Sequence, residues 1–140
     1  MAEIYVLDTS AWLALNEGEP GADQVEAIIA SAWLDDLEIH CSFVTLAELE
    51  IIRTRETSPA AAAELIEWVN AQPIHWHHSD TAICRTAAKL KAANKLSFAD
   101  SFIVALAVQL NATLVHKDPE MAALGDKVKQ HILPLKTRIP

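Results

Sequence analysis

Glycine is scarce in this chain, with only Gly18, Gly21 and Gly125 among 140 residues. A phosphate-binding loop, a dinucleotide-binding fingerprint and a nucleophile elbow each need two or more glycines at close, fixed spacing. None of these patterns can be drawn from the three glycines present. The sequence therefore excludes the nucleotide-binding and hydrolase classes that depend on glycine-rich turns.

Cysteine is equally scarce, and Cys41 and Cys84 are the two present. Two cysteines this far apart form neither a disulfide framework nor a thiolate zinc site. Both lie in apolar stretches of the sequence, so we expect two buried free thiols.

Long apolar runs are missing as well. The longest unbroken run, FIVALAV, is far shorter than the roughly 20 residues of a membrane-spanning helix. The first residues, MAEIYVLD, lack the basic region and the cleavage-like site of a signal peptide. We therefore expect a cytoplasmic protein. A length of 140 residues with 51% hydrophobic residues predicts one domain, residues 1–140, with a substantial core.

Basic residues are absent before Arg53, whereas eleven Asp and Glu residues precede it. The net charge of −8 argues against non-specific binding to nucleic acid. From Arg53 onward, basic residues outnumber acidic ones by three. The acidic part is suited to a basic partner, although ordinary solvated faces explain the pattern equally well. The candidate phosphate contacts are Arg53, Lys89, Lys91, Lys95 and Lys117.

Apolar runs with β-favouring residues alternate with stretches of helical periodicity. The predicted strands are residues 4–7, 38–42, 73–77, 112–116 and 131–135. The predicted helices are residues 9–16, 22–34, 45–53, 60–69, 80–94, 97–110 and 119–124. This alternation predicts an α/β fold with a parallel sheet covered on both faces, whose ligands gather at the carboxyl ends of the strands.

Four acids stand where an apolar run meets the start of a helix. They are Asp8 after IYVL, Glu48 in SFVTLAELE, Asp100 in LSFADSFIVALA and Asp118 after TLVHK. Asp8 and Asp118 end predicted strands, and the other two lie in predicted first helical turns. Carboxylates that meet at one sheet edge form a site for a hard metal ion, which promotes hydrolysis of phosphate esters.

Each acid also has a simpler explanation as a helix cap. Thr45-x-x-Glu48 and Ser97-x-x-Asp100 match capping boxes, and Asp118 precedes a first-turn proline. Asp100 is harder to explain this way, because its helix is apolar on nearly all sides and should be buried. A buried carboxylate needs a partner, and no Lys or Arg lies within one turn of it. A divalent cation would provide that partner.

Together, the segments DTSAWLAL, TLAELE and LSFADSFIVALAVQLNATLVHKD resemble those of a PIN domain, most closely the VapC-type toxins of prokaryotic toxin–antitoxin pairs. The resemblance covers nearly the whole chain and is weakest over residues 58–80. It implies a three-layer α/β/α sandwich with a central, mostly parallel sheet of about five strands. It also implies a metal-dependent endoribonuclease that uses one or two Mg²⁺ or Mn²⁺ ions. The implied catalytic and metal-binding quartet is Asp8, Glu48, Asp100 and Asp118.

The resemblance further implies an RNA substrate, products with a 5′-phosphate and a 3′-hydroxyl, a cognate antitoxin with a basic arm, and a homodimer. The helix at residues 60–69 is a candidate dimer surface with Trp68 as an anchor, although burial of Trp68 in the core is the favoured interpretation. The family often has Thr or Ser where this chain has His116. Three roles are open to the His116 side chain: it fills space that the smaller residues leave free, it binds phosphate, or it titrates near neutral pH.

Two alternatives and one further motif complete the predictions. A non-catalytic PIN-like module that binds RNA or protein remains open, and a receiver-type signalling domain is disfavoured because no Asp lies between Asp36 and Asp80.

His75 and His77 share one face of a predicted strand. With no third ligand nearby in sequence, they are expected to face solvent rather than bind a transition metal.

Overall fold

A five-stranded parallel sheet forms the centre of the molecule in the computed structural model, which describes residues 2–135. The strands are β1 (Glu3–Leu7), β2 (Leu37–Ser42), β3 (Ile74–His77), β4 (Thr113–His116) and β5 (Lys129–Ile132). Their order is β3-β2-β1-β4-β5, and every neighbouring pair is parallel. Because parallel strands need crossover connections, the order agrees with the helices that separate them in sequence.

Seven α-helices connect and cover the strands. They are α1 (Thr9–Asn16), α2 (Ala22–Trp33), α3 (Phe43–Glu56), α4 (Pro59–Asn70), α5 (Thr81–Ala93), α6 (Phe98–Leu110) and α7 (Pro119–Ala122). A 3₁₀ turn at Gly125–Lys127 leads into β5. Within residues 2–135, no helix is long and apolar enough to cross a membrane.

The sheet has a hydrophobic core on each face because successive strand residues point to opposite sides. Val6 of β1 and Leu114 of β4 pack with residues of α5 and α6. Their neighbours Leu7 and Val115 pack on the other face with residues of α1, α2, α3 and α4. The predicted α/β/α sandwich is confirmed, with an all-parallel sheet.

Helix α6 is buried as its composition predicts. Seven consecutive residues, from Ser101 to Ala107, are buried, and Ser97 caps the first turn by accepting a hydrogen bond from Asp100 N–H at 3.1 Å. The helix carries Asp100 in its first turn, next to the carboxyl ends of β1 and β4 in the packed molecule. The predicted capping interaction at Ser97 is therefore present.

Several element boundaries differ from the prediction, and those of α3 and β5 differ most. Ser42, not Thr45, caps α3, since its hydroxyl accepts from Val44 N–H, and the helix starts at Phe43. Glu48 consequently lies in the second helical turn and does not belong to a capping box. Strand β5 begins at Lys129 rather than residue 131, because its pairing with Thr113 of β4 starts there.

Two predictions of burial are wrong. Cys41 is buried and accepts a hydrogen bond from Trp12 Nε1, but Cys84 is exposed on α5. Trp68 is 39% exposed, because α4 turns Ala62, Leu65 and Val69 towards the core and leaves Trp68 at its margin. The apolar face of α4 is thus used within the chain, and Trp68 stays partly exposed.

Candidate metal centre

Asp8 directly follows β1 and is buried, with 4% of its surface exposed. Its backbone N–H donates to Val115 O of β4, which holds the residue at the carboxyl end of both strands. The Oδ2 atom accepts from the backbone N–H of Ser10 at 3.0 Å and from the Ser10 hydroxyl. The Oδ1 atom is buried and has no hydrogen-bond partner among the residues that the structure describes. One carboxylate oxygen is therefore held in place while the other lacks a donor.

Burial is the main reason that the pKa of Asp8 rises from 3.8 to about 6. The hydrogen bonds from Ser10 act in the opposite direction, and the negative charges of Glu48 and Asp118 raise the pKa further. An acid surrounded in this way is costly to ionise without a cation. The environment of Asp8 therefore favours a bound positive charge.

Asp100 enters the same region from the first turn of α6. Burial raises its pKa from 3.8 to about 7, with further contributions from the charges of Asp8, Asp118 and Glu48. The Ser97 hydrogen bond lowers the pKa but does not offset these effects. All four predicted acids therefore interact electrostatically, although they come from the position after β1, from α3, from α6 and from the segment after β4.

Glu48 is oriented by a threonine of another element. The Thr9 hydroxyl donates to Glu48 Oε1 at 2.7 Å, and the Thr45 hydroxyl lies 3.3 Å from the same Thr9 oxygen. Thr9 and Thr45 are both buried, so this contact fixes α1 and α3 relative to each other as well as the carboxylate. Thr9, the residue after Asp8, therefore holds one oxygen of Glu48.

Asp118 caps α7 by accepting from Glu120 N–H at 2.8 Å. The backbone N–H of Asp118 donates to His116 Nδ1 at 3.0 Å, so the His116 proton lies on Nε2 and is donated to Gln130 Oε1 at 2.7 Å. His116 is fully buried, and burial lowers its pKa. It therefore holds the Asp118 segment as a neutral imidazole and does not contact a phosphate.

No basic side chain neutralises the four acids within residues 2–135. The ion pairs there are His40 with Glu38 and Lys117 with Glu19. Lys117 Nζ also donates to Pro20 O at 2.7 Å, which removes this residue from the predicted phosphate contacts. The backbone N–H of Lys117 instead donates to the Ser10 hydroxyl at 3.1 Å and so supports the residue that holds Asp8.

The four carboxylates are neighbours but are not drawn together tightly. In residues 2–135, no three of the four carboxylates have oxygens that all lie within 4.8 Å of one another. The ligand atoms of Glu38, His40 and His75 do lie this close together. Mutual repulsion of unneutralised carboxylates accounts for such a spacing. The unpaired Asp8 oxygen and the all-oxygen donor set fit a hard divalent cation, with water completing the coordination.

The surroundings of His75 and His77 differ from the prediction that both side chains simply face solvent. His75 is exposed, but β2 places His40 and Glu38 beside these two residues. Sequence reasoning missed the additional donors because their proximity depends on strand pairing across about 35 residues of chain. The sequence did contain one signal for this group: Glu38 and His40 are two residues apart in a predicted strand and therefore share a face.

The fold and the acid-lined sheet edge define a class: a PIN-like α/β/α domain with carboxylates at the carboxyl ends of its central strands. A family model described as "PIN domain" matches residues 5–127. The chain belongs to the PIN domain family.

Solved structures of VapC toxins have similar folds. The structure of VapBC2 from Rickettsia felis, bound to a promoter DNA fragment, matches with a TM-score of 0.73 at 16% identity, covering 94% of this chain and 99% of that one. VapBC-1 from nontypeable Haemophilus influenzae matches with a TM-score of 0.68 at 21% identity, covering 92% and 97%.

VapC20 from Mycobacterium tuberculosis, described as a sarcin-ricin loop cleaving toxin, matches with a TM-score of 0.68 at 17% identity, covering 86% and 95% of the two chains. No curated protein matches at the level of sequence. Since these identities are low, the structural matches establish a VapC-like fold.

Proposed function

We propose that this protein is a metal-dependent endoribonuclease of the VapC type that hydrolyses RNA phosphodiester bonds. The observation that carries the proposal is the buried Asp8 Oδ1 atom, which has no donor among residues 2–135, in a group of four acids that no basic side chain of those residues neutralises. A buried charged oxygen without a partner costs several kcal/mol, on the order of the Coulomb gain from a nearby cation. A bound divalent cation accounts for this arrangement.

Asp8 and Asp100 are the proposed direct ligands, and Asp118 and Glu48 complete the site directly or through water. The donor set selects Mg²⁺ or Mn²⁺, and four carboxylates suffice for one or two ions. Such an ion lowers the pKa of bound water and neutralises charge that develops on the phosphate oxygens.

The chain's own residues place the reacting groups. Ser10 holds Asp8 Oδ2, which would leave Oδ1 to bind the ion. Thr9 holds Glu48 Oε1 at 2.7 Å, which orients the Oε2 atom to accept a proton from the attacking water. His116 fixes the backbone of Asp118 through its Nδ1 atom. By family resemblance, cleavage leaves a 5′-phosphate and a 3′-hydroxyl.

RNA is the proposed substrate class. Lys89 and Lys95 are exposed cations on or just after α5, and the chain leads from them into α6 with Asp100. Lys91 is less available, because its Nζ atom donates to Leu96 O at 2.9 Å. VapC20, which cleaves the sarcin-ricin loop, has a similar fold, and this supports a structured RNA element as the target.

Cleavage of RNA with Mg²⁺, Mn²⁺ or EDTA tests the proposal. Purified wild type is expected to produce discrete fragments from a mixture of structured RNAs with Mg²⁺ or Mn²⁺ and none with EDTA. Asp8→Asn and Asp100→Asn are each expected to reduce the rate by at least about 100-fold, because each removes a metal-binding charge. Fragment ends are read by ligation that requires a 5′-phosphate.

Asp126→Asn is the matched control, since Asp126 is an exposed acid on the 3₁₀ turn outside the site. It is expected to cleave at the wild-type rate. Equal cleavage by wild type, Asp8→Asn and Asp100→Asn would contradict the assigned site. Metal-dependent RNA binding without cleavage would instead favour the non-catalytic PIN-like module.

A basic antitoxin segment is the proposed protein partner, and a homodimer is the proposed assembly. The structures from Rickettsia felis and Haemophilus influenzae are VapBC structures, and the first 52 residues of this chain contain acids but no Lys or Arg. An arginine-containing synthetic peptide is expected to bind metal-free wild type, and to bind less well with added Mg²⁺ or with Asp100→Asn. Equal affinity for Asp100→Asn and Asp126→Asn would contradict an arginine placed among the four acids.

A further inference from the structure

A second group of metal-ligand side chains lies on β2 and β3 and shares no residue with the four acids. Glu38 and His40 are two residues apart and point to one face of β2, and His75 and His77 point to the same face of the sheet from β3. The strand register pairs His40 with His75 and Ser42 with His77. Parallel pairing therefore brings four side chains from two strands into one cluster, which we call the histidine cluster.

The side chains of the histidine cluster already contact one another. The His40 and His75 rings stack with centroids 4.5 Å apart and planes within 18°. His40 Nε2 donates to Glu38 Oε1 at 2.8 Å, and His40 Nδ1 lies 2.7 Å from His77 Nε2. Ligand atoms of Glu38, His40 and His75 all lie within 4.8 Å of one another.

We propose that Glu38, His40 and His75 bind a Zn²⁺ ion, and that His77 orients His40 from the opposite side. Two imidazoles and one carboxylate form a common Zn²⁺ donor set, and they leave a fourth position for water. Tetrahedral bonds of about 2.0–2.1 Å place ligand atoms roughly 3.4 Å apart, so that Glu38 Oε1 and His40 Nε2, now 2.8 Å apart, need to separate slightly, and the His75 ligand atom, which lies within 4.8 Å of those of Glu38 and His40, needs to approach by at most about 1.4 Å. Glu38 is part-exposed and His75 is exposed, and both are free to make this movement.

The hydrogen bonds of His40 allow a metal ion to replace the proton on its Nε2 atom. In the structure, the Glu38 carboxylate accepts the proton on His40 Nε2. A cation between these two atoms displaces that proton from Nε2, and the two neutral imidazoles of His77 and His40 change tautomer by proton exchange with water, so that the single proton of His40 lies on Nδ1. There it is donated to His77 Nε2, only 2.7 Å away. A second imidazole that accepts from a metal-bound imidazole is the usual supporting arrangement.

This site has different chemistry from the acidic quartet. The quartet offers only carboxylate oxygens, which select hard cations, whereas the histidine cluster offers two nitrogens, which select Zn²⁺ and similar metals. It joins the four-residue edge strand β3 to β2, so a bound ion would fasten the edge of the sheet. The inference is independent of the proposed ribonuclease activity.

Zn²⁺ titration of the full chain in excess Mg²⁺ tests the inference, because Mg²⁺ occupies carboxylate sites but competes poorly for imidazole. We expect one equivalent of Zn²⁺ to bind, and Co²⁺ to give visible absorption bands typical of nitrogen ligation. His75→Ala should weaken binding by at least about tenfold, and His77→Gln by about 10- to 100-fold. Saturation should raise Tm by about 5–10 °C in wild type but not in His75→Ala.

His78→Ala is the matched control, because His78 is exposed beside the cluster but contributes no ligand atom to it. It should bind Zn²⁺ as tightly as wild type. Three results would overturn the inference: no Zn²⁺ binding by wild type in Mg²⁺, equal binding by His75→Ala, or equal losses in His75→Ala and His78→Ala. Loss of Zn²⁺ binding in Asp100→Asn would also overturn it, by assigning the ion to the quartet.

Discussion

At the scale of single residues, the two oxygens of Asp8 have opposite surroundings. Oδ2 has two donors from Ser10, whereas Oδ1 is buried and has none. A helix cap needs only one accepting oxygen, so capping alone does not explain why the whole side chain is buried. The second oxygen requires a partner that the described part of the chain does not provide, and this distinguishes Asp8 from an ordinary cap.

The raised pKa values of Asp8 and Asp100 predict a pH dependence of stability. Between about pH 4 and pH 7, the native state retains protons that the unfolded chain has released, because both pKa values lie above 3.8. The free energy of unfolding of the metal-free protein therefore falls as pH rises through this range. Asp100→Asn should reduce the fall, and Mg²⁺ should restore wild-type stability at pH 8.

Thermal unfolding in EDTA at pH 5 and pH 8 measures this effect as a difference between wild type and variant. Taking the difference cancels contributions from other titrating groups. An identical pH dependence for wild type and Asp100→Asn would show that this carboxyl is not perturbed.

The Thr9 hydroxyl is predicted to support catalysis by orienting Glu48. Thr9→Val keeps the shape but removes the 2.7 Å hydrogen bond, and it should lower the cleavage rate by about 10- to 100-fold. Loss of this buried bond should cost about 1 kcal/mol of stability. Thr9→Ser is the matched control and should retain most activity in steady-state cleavage assays. Equal rates for the Val and Ser variants would mean that Glu48 does not depend on Thr9.

At the scale of elements, the start of α6 links helix stability to the site. The Ser97 hydroxyl accepts from Asp100 N–H at 3.1 Å and holds the first turn in which Asp100 lies. Ser97→Ala is predicted to lower the free energy of unfolding by about 1 kcal/mol, whereas Ser97→Thr, which can still cap, should lose less. Urea unfolding measures both. Equal stability of wild type and Ser97→Ala would show that the cap contributes nothing.

Element type was predictable from sequence wherever apolar periodicity was strong. All five strands and seven helices were expected, and the apolar composition of α6 correctly indicated its burial. The start of α3 was predicted wrongly because two residues three positions apart compete as caps: Ser42 caps the helix before Thr45, so Glu48 lies one turn deeper than expected. Local sequence does not reveal which hydroxyl is free to cap, because tertiary packing decides it.

The site was predictable only in part, for a related reason. Acids after apolar runs indicated the carboxyl edge of the sheet, and the structure brings Asp8, Glu48, Asp100 and Asp118 into electrostatic contact there. The supporting bond from Thr9 and the place of His40 beside His75 arise from contacts between elements distant in sequence. Strand register determines such contacts, and spacing along the chain does not encode it directly.

At the scale of the whole molecule, exposed apolar residues bear on the proposed homodimer. Trp68 on α4 is 39% exposed and meets Trp12 edge-on at 6.1 Å, so it is anchored on one side and open on the other. Aromatic residues of this kind are enriched at interfaces. Wild type is predicted to be a dimer at micromolar concentration, and Trp68→Ser should be largely monomeric.

Light scattering after size exclusion measures the mass of wild type and of both tryptophan variants. Trp33→Ser is the matched control, since Trp33 is 59% exposed at the end of α2. A monomeric wild type would contradict the dimer, and equal dissociation by both variants would remove Trp68 from the interface.

Diffraction from crystals soaked with Mn²⁺ tests the shared cation most directly, because anomalous scattering locates manganese independently of activity. The expected result is a peak within about 2.0–2.6 Å of Asp8 Oδ1, with the carboxylate of Asp100 in the same coordination sphere. An Asp8 Oδ1 atom that accepts a hydrogen bond from a protein donor, with manganese absent or bound elsewhere, would contradict a metal-dependent nuclease centred on these acids.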